Sequence, residues 1–124
     1  MKRLTAEWVQ KAEGDFLAAK ALAGESLPLH DAVCFHCQQS AEKYLKALLK
    51  EASVRIPRTH ELVALSSLLP PHYCLRGFTR GLEFLTRFAV EKRYPGRSAT
   101  KRQAASALRW AGKVRDACRA ELKL

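Results

Sequence analysis

The chain has 124 residues, 48% of them hydrophobic and 27% charged, with a formal net charge of +10. That length suits one domain with its own core, and the apolar share excludes a disordered chain. No run approaches the ~18 apolar residues that span a bilayer, and no apolar signal segment follows MKRLTAEW, so a cytoplasmic protein is expected.

The charge is unevenly placed. Residues 1–75 hold nine Lys/Arg against eight Asp/Glu, whereas residues 76–124 hold thirteen against four. Nine of those thirteen are arginine, whose rigid fork suits phosphate or carboxylate. A polyanion or an acidic surface is the partner class this asymmetry favours. The four cysteines, Cys34, Cys37, Cys74 and Cys118, lie within helical patterns and read as reduced, packed thiols. Cys34 and Cys37 have CxxC spacing but no second pair, so neither a metal nor another cofactor is expected.

In chain order, a first helix is predicted to start after Leu4 with Thr5 as its cap. Trp8, Ala12, Phe16, Ala19 and Ala23 trace its inner face, and Gly14 suggests close approach of a neighbour. Gly24–Leu29, with Ser26 and Pro28, is a short connection, so the next helix packs antiparallel. The stretch His30–Glu51 reads as one long amphipathic helix, with Val33, Cys34, Cys37, Ala41, Tyr44, Leu45 and Leu48 as its apolar stripe. Pro57 disfavours helix at Ile56, and Thr59 reads as the cap of a short helix His60–Leu69, stopped by Pro70–Pro71. A fourth helix is expected from Tyr73 or Leu75 to about Val90, with Phe78, Leu82, Leu85 and Ala89 inward. Gly77 and Gly81 would allow close contact there. Pro95–Gly96 marks a turn, and a last helix runs from about Ala99 to Leu122. Nothing alternates at period two. The prediction is an all-α, up-and-down antiparallel bundle of four main helices and one short one, forming a single domain over residues 1–124.

Three stretches carry candidate chemistry. His36, Gln39 and Lys43 form a polar strip on the long helix, with Gln38, Glu42 and Lys46 beside it; either strip suits solvent, interhelix hydrogen bonds or a ligand. Arg58-Thr59-His60-Glu61 follows a rigid proline, and His60 can exchange protons near neutral pH, contact an anion or help hold the loop. Arg87, Lys92, Arg93 and Arg97 gather positive charge around a helix end and turn, and Tyr94 offers a ring on which a base can stack. The same arginines would also suit the negative end of the helix dipole. The candidate nucleotide- or phosphate-binding residues are therefore Arg87, Lys92, Arg93, Tyr94, Arg97, Arg58, His60 and Lys43.

Taken together, FHCQQSAEKYLKALL at 35–49, PRTHEL at 57–62 and RYPG at 93–96 resemble the HEPN family, the prokaryotic and eukaryotic nucleotide-binding domain. The resemblance implies a helical bundle, commonly a homodimer, often partnered by a minimal nucleotidyltransferase and often found in toxin–antitoxin or other defence systems. Some members are metal-independent ribonucleases with an arginine followed closely by a histidine. Counted from Arg87, that histidine would fall at Lys92, Arg93 or Tyr94, and no histidine occurs after His72. Arginine stays protonated and is a poor base, so no catalytic residue is assigned. The expected function is an accessory protein that binds nucleotide or RNA and partners a nucleotidyltransferase. The alternatives are a ribonuclease toxin with a displaced catalytic set and a structural dimerisation module. Adenine nucleotide or RNA is expected rather than DNA, because no helix–turn–helix reading element stands out. Phe78, Leu82, Phe84, Leu85 and Phe88 cover more than one narrow stripe, a second motive for a homodimer.

Overall fold

In the computed structural model, which describes residues 1–73, 75, 77–89 and 95–124, helix α2 (His30–Glu51) is the centre on which the others are laid. Helices α1 (Arg3–Ala23), α3 (Leu62–Ser67), α4 (Thr79–Thr86) and α5 (Lys101–Glu121) all pack against it. The architecture is an all-α, up-and-down bundle, as the periodicities predict, and the described residues contain no strand. No helix is long and apolar enough to cross a membrane among these residues. Cys34, Cys37, Ala41, Tyr44, Leu45 and Leu48 of α2 are fully buried. Each buried leucine contributes about 1.5–3 kcal/mol of hydrophobic stabilisation.

The limits of α2 match its apolar pattern, while other boundaries are set by tertiary contacts. Helix α1 starts at Arg3 rather than after Leu4, and Thr5, instead of capping it, is buried within the first turn. Its entry is held from outside: the Lys2 backbone N–H donates to Glu51 Oε1 at 3.0 Å and Lys2 Nζ to the Lys50 carbonyl at 3.2 Å. Thr59 does not cap α3; its hydroxyl accepts from the Glu61 N–H at 3.1 Å, and the helix begins at Leu62. Helix α4 begins later than expected, because Gly77 adopts a φ of +89°, which breaks the helix before Phe78. Helix α5 has a capping box: Thr100 Oγ1 accepts from Gln103 N–H at 3.0 Å, and Gln103 Oε1 accepts from Thr100 N–H at 2.9 Å. Asp31, in the first turn of α2, accepts the Ala99 N–H at 2.5 Å and so anchors the approach to α5.

The glycines separate two expectations. Gly81 is where α4 lies closest to α5, since a Cβ there would meet the Trp110 ring at 2.1–2.7 Å. Gly14, for which the sequence suggests a close approach as well, faces open space, and a Cβ would touch nothing within 4 Å. Gly14→Ala is therefore expected to stabilise the fold by about 0.5–1 kcal/mol, the ordinary helix-interior gain. Chemical denaturation should show a higher midpoint with an unchanged slope.

Candidate phosphate-binding site

The site is built on a polar network at the edge of α2. Gln38, Glu42 and Lys46 follow one another at four-residue steps and so share one face. Glu42 is buried, and its carboxylate receives Gln38 Nε2 at 3.0 Å, Lys46 Nζ at 2.9 Å and His60 Nδ1 at 2.8 Å. Gln39 Nε2 donates to Gln38 Oε1 at 2.8 Å, and Lys46 lies 5.6 Å from the centre of the Trp8 ring. Burial pushes the Glu42 carboxyl up, but hydrogen bonds from Lys46, Gln38 and His60 outweigh it, so its pKa lies below the ordinary value. Glu42 therefore stays a carboxylate and only accepts, which places the His60 proton on Nδ1 and directs Nε2 outward. The His60 side chain is 62% exposed.

This network fixes the loop that carries Arg58. Gln38 Nε2 also reaches the His60 carbonyl at 3.4 Å, and the Leu62 N–H donates to Thr86 Oγ1 at 3.2 Å. Thr86 in turn donates to the Leu82 carbonyl at 2.8 Å. The segment ending in His60 is thus fastened beside the last turn of α4, one residue before Arg87. Arg87 is exposed, and its guanidinium lies 5.5 Å from the Phe84 ring centre and 6.0 Å from that of Phe88. Those two rings meet edge to face at 5.1 Å, so the arginine rests on a rigid aromatic shelf. On the other side of the loop, Arg55, Ile56, Pro57, Arg58 and Leu68 line an open cleft of about 500 Å³. Both of its arginines are exposed. The junction of this loop with α4 therefore offers His60 and, one residue past Thr86, Arg87, while Arg58 lines the cleft with Arg55.

The other sequence candidates are placed differently. Lys43 lies on the α1 side of α2, where its Nζ meets Asp15 Oδ2 at 2.5 Å and Asp15 Oδ1 also holds His36 Nδ1 at 2.8 Å. This lysine serves an interhelix contact rather than the junction. Arg97 is exposed in the segment that enters α5, just after Gly96 with its φ of +87°. Lys92, Arg93 and Tyr94 lie outside the described residues. The aromatic cluster that suggested a homodimer is largely used inside the chain: Leu82, Leu85 and Phe88 are buried, and Phe78 and Phe84 pack against the core. Cys34, Cys37 and Cys118 are buried and form no disulfide among the described residues; burial, with Cys34 nearby, pushes the Cys37 thiol up to about 12, away from thiolate chemistry. No three His, Cys, Asp or Glu side chains gather as a metal-binding group among the described residues.

Sequence reasoning missed Arg55, which nothing in its spacing distinguishes, and the part played by Glu42. The four-residue step from Gln38 to Glu42 to Lys46 is visible in the sequence, but not that it faces His60 rather than water.

The five helices among the described residues place the chain in the class of small all-α, up-and-down bundles. Within it, the HEPN domain profile matches residues 5–121, and the chain belongs to the HEPN family. It is similar to the crystal structure of TT1696 from Thermus thermophilus, with a TM-score of 0.84, 23% identity and all of both chains covered. It is also similar to ST0689, an archaeal HEPN homologue, with a TM-score of 0.75, 27% identity and 98% of each chain covered. No curated protein matches.

Proposed function

We propose that the protein is a HEPN accessory domain that binds the phosphate groups of an adenine nucleotide or RNA at the loop–α4 junction, and that it works as a homodimer beside a minimal nucleotidyltransferase. The observation that supports the binding reading is the Leu62–Thr86 hydrogen bond, which ties the start of α3, two residues after His60, to the residue before Arg87. Arginines that approach from two separate segments can contact a phosphate from two sides, each with a bidentate fork. Family membership is what supports the dimer, the nucleotidyltransferase partner and a place in a defence system.

The test of the binding reading is equilibrium titration with ATP and with a short oligoribonucleotide. Arg87→Ala is expected to weaken both at least tenfold while the thermal midpoint stays within a degree or two. Unchanged affinity in a folded variant contradicts it. Co-purification with a co-expressed minimal nucleotidyltransferase checks the partner.

One observation favours RNA cleavage as a second reading. Glu42 holds His60 Nδ1 and leaves Nε2 exposed, the arrangement a general base requires. Metal-independent cleavage lost in both His60→Ala and Arg87→Ala would select it.

A further inference from the structure

Helix α5 turns its alanines and Val114 inward, and its outer face carries Arg102, Arg109 and Lys113, all exposed. At 1.5 Å per residue, Arg102 and Arg109 stand about 10 Å apart along the helix, and Arg109 and Lys113 about 6 Å. The close approach of Gly81 to Trp110 brings α4 against α5 beside this face. Lys113 Nζ sits 4.9 Å from the centre of the same Trp110 ring, which is half-buried. Arg80, next to Gly81, is exposed, and seven residues on, at the C-cap of α4, lies Arg87.

We infer that these outer faces of α4 and α5 form a track for the phosphate backbone of a single-stranded nucleic acid, running from Arg87 past Arg80 to Lys113, Arg109 and Arg102. The inference rests on phosphate recognition at Arg87 and identifies its ligand as a strand rather than a mononucleotide.

The pattern of charge supports a nucleic acid here. Exposed cations recur at a seven-residue step from Arg80 to Arg87 and from Arg102 to Arg109, and at a four-residue step from Arg109 to Lys113. Arg80, Arg102 and Lys113 pair with no carboxylate among the described residues. The acids near the line are few: Glu83 is exposed between Arg80 and Arg87, and Asp116 is engaged by Arg115 at 3.0 Å. A protein partner would need an apolar centre, whereas the exposed residues of α5 between Arg102 and Lys113 are only Ala105 and Arg109. Nucleic-acid interfaces are polar and strongly positive, and single-strand sites of this kind cover about 4–16 nucleotides.

The test titrates the full chain with ATP, with an oligoribonucleotide of about 12 residues and with polyglutamate, across a range of salt. The triple variant Arg102→Gln, Arg109→Gln, Lys113→Gln removes charge from exposed positions and keeps good helix formers, so circular dichroism should be unchanged. It is expected to weaken oligoribonucleotide binding at least tenfold and to flatten the log–log salt dependence by about 2, at ~0.7 per lost phosphate contact. ATP affinity should stay within twofold. Equal oligonucleotide affinity and salt slope in wild type and triple variant overturn the track. Polyglutamate binding with the same sensitivity, and no oligonucleotide binding, overturns it in favour of an acidic protein. If the triple variant loses the oligonucleotide while Arg87→Ala loses neither ligand, the track stands and the Arg87 site falls.

Discussion

Arg115→Ala is expected to destabilise the protein by about 2 kcal/mol near neutral pH, with the loss disappearing in acid. Arg115 grips Glu13 with two hydrogen bonds of 2.7 Å, joining the middle of α1 to α5. Glu13 also accepts the Tyr44 hydroxyl at 2.6 Å, and the Arg115 guanidinium lies 5.2 Å from the Phe16 ring centre. Both charged side chains are only 25% exposed, so the pair is screened less than a surface pair. The hydrogen bond from Arg115 holds the Glu13 carboxyl down at about 2, from its usual 4.5, against the opposing effect of burial. A carboxylate depressed in the folded state contributes fully above its unfolded pKa and loses that contribution as pH falls toward the folded value. The whole shift would correspond to roughly 3 kcal/mol, and solvent screening of a partly exposed pair lowers it to about 2. Urea denaturation from pH 7 to pH 2 should show the gap between wild type and Arg115→Ala closing mainly between about pH 4.5 and 2. Glu13→Gln should show the same loss of acid dependence. A gap that stays constant across that range would show that the arginine acts through packing on Phe16 alone.

Gly81→Ala is expected to cost about 2–3 kcal/mol, a large loss for a single methyl group. The added Cβ would lie 2.1 Å from Trp110 Cε3 and 2.2 Å from Cδ2, inside the ring's own contact radius. Those atoms belong to the rigid indole rather than to a mobile chain end, so either α4 moves away from α5 or the ring turns out of place. Trp110→Leu in the same background should recover at least half of the loss, and the double-mutant cycle measures that coupling. Additive costs would mean that α4 meets α5 elsewhere. The contrast with Gly14→Ala, which should stabilise, makes the pair a sharp check on how α1 and α4 are laid down.

These two sites also show what the sequence can and cannot disclose. The long α2 is legible because its apolar residues recur without interruption and Pro28 precedes it. Helix α5 is legible from the Pro95–Gly96 turn before it and from its alanine stripe. Helix α4 is less so, since Phe78, Leu82 and Leu85 continue a helical period backwards across a glycine that the backbone uses as a break. Gly14 and Gly81 look alike in a helical pattern, and only the packing of neighbours tells open space from an indole ring. The Glu13–Arg115 pair joins residues 102 positions apart, and Asp31 holds Ala99 across 68, so no local spacing announces either. At the candidate site, the chemistry of Arg58, His60 and Arg87 is legible from residue type, but what fastens the loop beside α4 is not. The fastening depends on Thr86, a residue with no distinguishing pattern, and on Glu42, whose helical position suits water equally well. Lys43 shows the reverse case: its helical position fits a ligand strip, and Asp15 on α1 claims it.

Phosphate recognition is proposed where the loop that ends in His60 meets the last turn of α4. Photo-cross-linking with an azido-adenine nucleotide, followed by peptide mapping, tests it most directly. Saturable labelling within residues 55–62 and 84–89, displaced by unmodified ATP or RNA and lost in Arg87→Ala, is the predicted result. Saturable labelling confined to other segments, or labelling that neither competitor displaces, would contradict it.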